Sequence, residues 1–77
     1  MDIKILGSGC SKCKTLEKLT SEVLEQNGID ATLTKVEDFA EIMKYGVLTT
    51  PALVVDGKVE IKGRVPTTDE IKNILIR

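Results

Sequence analysis

The apolar positions of this chain change their spacing at regular intervals and so predict short strands and helices. Residues 2–6, with the apolar Ile3, Ile5 and Leu6, are typical of a buried strand. A stripe at helical spacing follows, and Asn27-Gly28 ends it, with Gly28 suited to a left-handed cap. That stripe consists of Leu16, Leu19, Val23 and Leu24. Alternating apolar residues then predict a second strand at Ile29, Ala31 and Leu33.

The middle of the chain predicts a short second helix. Glu37 and Asp38 stand where acidic residues favour a helix start, and Gly46 is a suitable stop. The apolar positions of this amphipathic segment are Phe39, Ile42 and Met43. Residues 49–51, Thr-Thr-Pro, then break the helical pattern.

The last third of the chain predicts a hairpin and a final helix. Residues 52–55 are continuously apolar, as in a central strand, and Asp56-Gly57 is a strong two-residue hairpin signature. The returning strand alternates Val59 and Ile61, with Lys58 and Lys62 suited to a sheet edge. Residues 67–70 resemble a helix capping box, and the apolar face of the helix that follows consists of Ile71, Ile74 and Leu75.

The predicted order is βαβαββα, an α/β fold with a four-stranded mixed sheet and three helices. The first βαβ unit should pair its strands in parallel, and the later hairpin should be antiparallel. We expect residues 1–77 to form a single domain.

Composition and charge exclude several classes of function. The net charge is −1, with no basic block and no aromatic platform, so we expect no nucleic-acid binding. No apolar stretch approaches the roughly 20 residues that cross a bilayer, and the N-terminus lacks a signal-peptide pattern. We therefore expect a cytoplasmic protein without a membrane segment.

The candidate chemistry lies in Cys10-Ser11-Lys12-Cys13, which contains both cysteines of the chain. Two thiols at this spacing can react with each other, and the peptide N–H groups of a helix start favour the thiolate. The loop between them is too small to stabilise a fold, so a structural disulfide is a poor explanation. Cys10 is the predicted nucleophile, and the deeper Cys13 is the predicted resolving cysteine. Ser11 and Lys12 are expected to modulate the pair, although Ser11 also suits a helix cap and Lys12 a solvated surface.

The element order with this pair resembles the thioredoxin fold at its minimal size. Residues 45–51, Tyr-Gly-Val-Leu-Thr-Thr-Pro, resemble the thioredoxin segment that leads to a cis proline. An apolar strand, a turn, a second strand and Gly63 follow, as in that family. The resemblance covers essentially the whole chain and is greatest to the small glutaredoxin-like thioredoxins of archaea and bacteria.

This resemblance implies a thiol–disulfide oxidoreductase that reduces protein disulfides. Pro51 is then expected to be cis and packed against the cysteines, with the Thr50 backbone pairing with substrate main chain and Gly63 in a tight position nearby. A thioredoxin reductase-like flavoprotein, using NADPH or another donor, would supply electrons. The chain itself is expected to need no cofactor and no metal, and to act as a monomer.

Some positions depart from the family pattern. Thioredoxins usually have Trp before the first cysteine, where this chain has Gly9. Longer thioredoxins place a buried aspartate at the position of Lys4, and no histidine exists to replace it. The sequence therefore identifies no base for Cys13. Tyr45 is expected at the edge of the core.

Other functions could use the same cysteine pair. Small metal chaperones also place CxxC after a first strand, and soft thiolates suit Cu(I), but those domains end in a strand rather than a helix. Zinc or an iron–sulfur cluster would need two protomers, because a closed site uses about four ligands. A non-catalytic interaction module is the third alternative, against which the intact pair argues.

Overall fold

The computed structural model describes residues 1–7 and 11–76 and shows the predicted α/β architecture. The described elements are β1 (Asp2–Leu6), α1 (Ser11–Gln26), β2 (Thr32–Val36), α2 (Phe39–Met43), β3 (Ala52–Val55), β4 (Lys58–Lys62) and α3 (Thr68–Leu75). The strands form one sheet in the order β2-β1-β3-β4. β1 and β2 are parallel, while β3 is antiparallel to both β1 and β4. The mixed sheet and the antiparallel hairpin are thus confirmed. No helix in these ranges is both long and apolar enough to cross a membrane.

The sheet has an apolar core on each face. Successive side chains of a strand point to opposite faces, so the apolar residues of β1 and the continuous apolar run of β3 supply both cores. One core joins the sheet to α1 and α3 and consists of Ile3, Ile5, Leu16, Val23, Leu53, Ile61, Ile71 and Leu75. The other joins it to α2 and consists of Leu6, Ile42, Val47, Ala52 and Val54. Burial on both faces fixes the register of β1, because a one-residue slip would exchange the two sets.

The second strand begins later than the alternating pattern predicts. β2 starts at Thr32, so Ile29 and Ala31 precede it. Ile29 instead caps the end of α1, where its N–H donates to the Leu24 backbone carbonyl at 2.9 Å. The Gly28 N–H donates to the Glu25 backbone carbonyl at 3.3 Å. These two bonds form a Schellman motif, which uses Gly28 in the left-handed conformation, at φ 62°. Ile29, which the alternating pattern predicts in the strand, therefore forms part of the helix cap.

The second helix buries less apolar surface than its sequence suggests. Asp38 caps it, accepting a hydrogen bond from the Ala40 N–H at 2.9 Å. Of its three apolar positions, Ile42 is buried, whereas Phe39 is 72% and Met43 is 43% exposed. A helix of five residues makes less than two turns, so only one position faces the sheet. Of the predicted apolar positions of this helix, Phe39 and Met43 are therefore exposed, and only Ile42 is buried.

The hairpin and the edge strand agree with the sequence pattern. Asp56 and Gly57 both have positive φ, at 50° and 84°, as a two-residue turn of this kind requires. β4 lies at the edge of the sheet, and Lys58 and Lys62 are exposed there. Charged side chains at an exposed edge discourage pairing with another chain.

The capping box predicted for α3 is present. The Glu70 N–H donates to the Thr67 hydroxyl, and the Thr67 N–H donates to the Glu70 carboxylate, both at 3.2 Å. Arg64 also binds that carboxylate with two N–H groups, at 3.0 and 2.6 Å. The Arg64 and Thr67 hydrogen bonds lower the pKa of Glu70 from its ordinary 4.5 to about 2. The ionised Glu70 carboxylate thereby joins Arg64, in the segment between β4 and α3, to the start of α3.

Glu70→Gln should flatten the acid dependence of stability. The folded protein keeps Glu70 ionised below its ordinary pKa, so this contribution to stability is present above about pH 4.5 and is lost as the pH falls through about 2. The free energy of unfolding, measured with urea at a series of pH values, should fall less steeply in the variant than in wild type between about pH 4.5 and about 2. Asp69→Asn, which removes a charge from the same helical turn, is the control. An unchanged slope in Glu70→Gln would contradict the assignment.

Candidate functional site

Cys13 lies in the first turn of α1 and faces the sheet. It is 5% exposed and begins the buried stripe of the helix, which continues with Leu16, Thr20 and Val23. Its predicted burial is thus confirmed. Cys10, the predicted nucleophile, lies outside the described residues, as do Ser8, Gly9 and Arg77. The described part of the site therefore starts from Cys13 and the segments around it.

Gly7 lets the Cys13 side chain approach the end of β1. A Cβ placed on Gly7 would overlap the Cys13 sulfur and would lie 3.3 Å from the Cys13 Cβ. The same point is 3.7 Å from the Thr50 Cβ. The side chains of Cys13 and Thr50 therefore both border the space that a Gly7 side chain would occupy, where a larger residue would not fit. This role of Gly7 was not predicted, and its sequence cue is a glycine directly after a buried strand.

The segment before β3 has the predicted proline geometry. The Thr50–Pro51 peptide bond is cis, as the resemblance implied. Pro51 is buried, while Thr50 is exposed next to the Cys13 region. Thr50 therefore lies at the surface of the site, beside a buried proline.

Gly63 occupies a tight position against this proline segment. Its N–H donates to the Pro51 carbonyl at 2.9 Å, and its φ is 75°. A Cβ at this position would lie 2.8 Å from the Thr49 hydroxyl oxygen. The structure thus brings Gly63, Pro51, Thr50 and Cys13 into one region from three separate segments of the chain.

Ser11 and Lys12 are exposed at the start of α1. The Ser11 carbonyl accepts a hydrogen bond from the Thr15 hydroxyl at 2.9 Å, which strengthens the first turn. Neither residue belongs to the buried stripe of α1 that begins with Cys13. Their influence on the cysteine pair stays a prediction.

Lys4, which stands where longer thioredoxins have an aspartate, belongs to the other face of the sheet. Its ammonium donates to the Tyr45 hydroxyl at 3.0 Å, and Tyr45 packs against the core around α2. This hydrogen bond raises the pKa of Lys4 above its ordinary value. Ile5 and Gly7 point instead toward α1 and Cys13. Lys4 is therefore not placed to take a proton from Cys13, and Tyr45 lies at the core edge as predicted.

A small cavity of about 70 Å³ opens beside Cys13. Its lining includes Gly7, Cys13, Glu17, Lys35 and Glu37. The Lys35 ammonium lies 3.4 Å from the Glu17 carboxylate and 4.0 Å from that of Glu37. Glu17 stands four residues after Cys13, a spacing visible in the sequence, but the proximity of Lys35 depends on strand packing. This charged group was not predicted.

The fold and the site together define a class of protein. A four-stranded mixed sheet carries a cysteine in the first turn of the helix after β1, beside a cis proline that precedes β3. This arrangement is the minimal thioredoxin fold. It places a buried cysteine close to the exposed Thr50.

Comparison with known proteins gives the same result. The thioredoxin domain family matches residues 1–76. A thioredoxin of Methanothermobacter thermautotrophicus is 43% identical over 75 residues, covering 97% of each chain. A thioredoxin of Methanocaldococcus jannaschii is 37% identical over 73 residues, covering 95% of this chain and 84% of the relative. A probable thioredoxin of Archaeoglobus fulgidus is 33% identical over 69 residues, covering 86% and 75%.

The chain belongs to the thioredoxin family. In general terms it is a thiol–disulfide oxidoreductase, which acts on protein disulfides and depends on a reductase partner. The resemblance drawn from the sequence is thereby confirmed at the level of the family.

Proposed function

We propose that this protein reduces protein disulfides through Cys10 and Cys13 and is then reduced again by a thioredoxin reductase-like flavoprotein. The observation that carries the proposal is the position of Cys13 in the first turn of α1, buried against Gly7 and next to Thr50. Cys10 directly precedes α1 in the sequence, where helix N–H groups favour a thiolate. We propose that the chain acts as one domain, as a monomer and in the cytoplasm, where the reducing environment regenerates dithiols.

The proposed cycle moves two electrons to the substrate. The Cys10 thiolate attacks one sulfur of the substrate disulfide, forming a mixed disulfide and releasing the first substrate thiolate. Cys13 loses its proton and attacks the Cys10 sulfur, so the mixed disulfide breaks and the second substrate thiolate leaves. Each thiolate that leaves takes up a proton. The protein ends as a Cys10–Cys13 disulfide, which the flavoprotein returns to the dithiol.

Substrate binding is proposed for the segment around Pro51. Thr50 is exposed, and its backbone can pair with an extended substrate strand that places its disulfide beside the cysteines. Gly63 holds the Pro51 carbonyl through its N–H and leaves no side chain in the way. Ser11 and Lys12, exposed at the helix start, would adjust the reactivity of Cys10. We propose that the protein uses this site as thioredoxins do rather than as glutaredoxins do.

A redox titration tests the central claim. The purified protein, after metal removal, is equilibrated with dithiol buffers of graded potential, and its free thiols are counted by mass. We expect a reversible two-electron transition between Cys10 and Cys13 at a low potential, near the roughly −270 mV of thioredoxin. A markedly higher potential would indicate an oxidant or isomerase instead of a reductant. If no reversible intrachain disulfide forms, the cysteine mechanism is wrong and soft-metal binding becomes the better explanation.

A further inference from the structure

The resolving step needs a proton acceptor that the family pattern does not supply here. Cys13 is 5% exposed, and burial disfavours the charged thiolate. A thiolate, not a thiol, attacks a disulfide, so the Cys13 proton must go to a nearby group. Lys4 occupies the position of the usual aspartate, but it points to the Tyr45 side of the sheet. The acceptor must therefore lie on the α1 side.

Glu17 is the carboxylate that α1 itself places beside Cys13. Residues four apart on a helix are neighbours, with Cβ atoms about 6 Å apart. Both side chains line the cavity of about 70 Å³. A polar cavity needs only roughly 15 Å³ to hold a water molecule. A proton can thus pass from the thiol to the carboxylate through water.

Lys35 holds Glu17 in this position. In the parallel register Lys35 stands opposite Ile5, which packs toward α1, so Lys35 also projects to that face. Its ammonium is 3.4 Å from the Glu17 carboxylate. The other charged groups that line the cavity are Lys14 from α1 and Glu37 after β2. Two cations and a second acid therefore surround Glu17.

Glu17 is better placed than Glu37 for this role. Its side chain is 35% exposed, against 58% for Glu37, and its contact with Lys35 is shorter, at 3.4 rather than 4.0 Å. It also belongs to the same helix as Cys13, so their spacing does not depend on the packing of β2. A less solvated carboxylate at a fixed distance from the thiol is the better placed proton acceptor.

We infer that Glu17, positioned by Lys35, accepts the Cys13 proton through the cavity between them during the resolving step. This inference rests on the proposed use of Cys10 and Cys13. The Cys13 S–H bond breaks, its proton moves to the Glu17 carboxylate, and its electron pair forms the bond to Cys10. The bond between Cys10 and the substrate sulfur breaks, and the proton passes from Glu17 through solvent to the thiolate that leaves.

A two-phase colour reaction isolates the step. The reduced protein is mixed with one equivalent of dithiobis(nitrobenzoate), an aromatic disulfide whose reduction releases coloured thiolate. Attack by Cys10 releases the first thiolate, and attack by Cys13 on the resulting mixed disulfide releases the second. In Glu17→Gln the second phase should be about tenfold or more slower, because positioned proton transfer typically contributes about 100-fold or more and solvent replaces part of it. The first phase should be unchanged.

The pH profile and a matched variant exclude a merely structural effect. Between about pH 6 and 8 the second phase of Glu17→Gln should rise about tenfold per unit, since hydroxide must then remove the proton, whereas the wild-type rate should be flatter. Glu22→Gln alters a half-buried acid of α1 that does not line the Cys13 cavity, and it should behave like wild type.

Each outcome has a definite meaning. Equal second-phase rates and pH profiles in Glu17→Gln and wild type would overturn the role of Glu17 while leaving the cysteine mechanism intact. An equal slowing in Glu22→Gln would also overturn it, because the effect would then be a general one of charge on α1. If wild type itself releases no second thiolate, the cysteine mechanism fails, and the inference fails with it.

Discussion

Replacing Cys10 with serine is expected to abolish disulfide reduction. A serine hydroxyl is not appreciably ionised near neutral pH, so it cannot attack a disulfide sulfur as the thiolate does. The assay is the reduction of a model protein disulfide with a soluble dithiol as electron source. We expect the rate of Cys10→Ser to equal that of the dithiol alone. Ser21→Ala, an exposed change on the same helix, should keep the wild-type rate.

Replacing Cys13 with serine should leave a different defect. Cys10 can still attack, but the mixed disulfide is not resolved, so the variant should accumulate covalent adducts with its substrates. Intact-protein mass measurement would identify one adduct per chain, reversible with excess dithiol. Full turnover by Cys10→Ser, or adducts that accumulate in Cys10→Ser but not in Cys13→Ser, would show that the two roles are wrongly assigned.

The parts of the fold that the sequence predicted correctly are those with local causes. β1 has the predicted bounds because its apolar residues must be extended to reach both cores. The capping box at Thr67 and Glu70 and the turn at Asp56-Gly57 each complete their hydrogen bonds or backbone conformation within a few residues. Such features form without contacts to distant parts of the chain.

The predictions that failed concern Ile29 and Phe39, whose positions periodicity alone does not decide. Ile29 fits the alternation of a strand, yet its N–H also completes the Schellman motif of α1. The helix cap satisfies carbonyls that would otherwise be unpaired, and so it takes precedence. Phe39 is apolar, but whether a five-residue helix turns it toward the sheet depends on the connections at both ends. Neither outcome is decided by periodicity.

The candidate site also combines features that the sequence predicted with contacts that depend on tertiary structure. The burial of Cys13 follows from its place at the head of an apolar helical stripe, and the cis bond before Pro51 followed from the family resemblance. The contact between Glu17 and Lys35 joins α1 to an edge strand, and it needs the parallel register that pairs Lys35 with Ile5. The approach of Cys13 to Gly7 likewise needs the final packing of α1 on β1. These contacts come from tertiary structure, and no local spacing predicts them.

Gly7→Ala should test how strictly the site requires that approach. The added methyl group would overlap the Cys13 sulfur, and Gly7 has a φ of 156°, which side chains rarely adopt. Overpacking and backbone strain each cost about 1–3 kcal/mol, so we expect the free energy of unfolding to fall by about 2–6 kcal/mol. Urea unfolding with the thiols reduced measures this change without a contribution from a disulfide.

Gly28→Ala separates the two causes, because Gly28 also has a positive φ, 62°, but nothing lies within 4 Å of its added Cβ. Left-handed strain alone should cost that variant about 1–2 kcal/mol, with both colour-reaction phases unchanged. In Gly7→Ala the second phase should also slow by about tenfold or more, since a displacement near 1 Å of a reacting group can cost about 100-fold. Equal stabilities and equal second-phase rates in the two alanine variants would mean that Cys13 moves aside without loss. Gly7 would then serve only the backbone turn at the end of β1, and the position of the resolving sulfur would not depend on it.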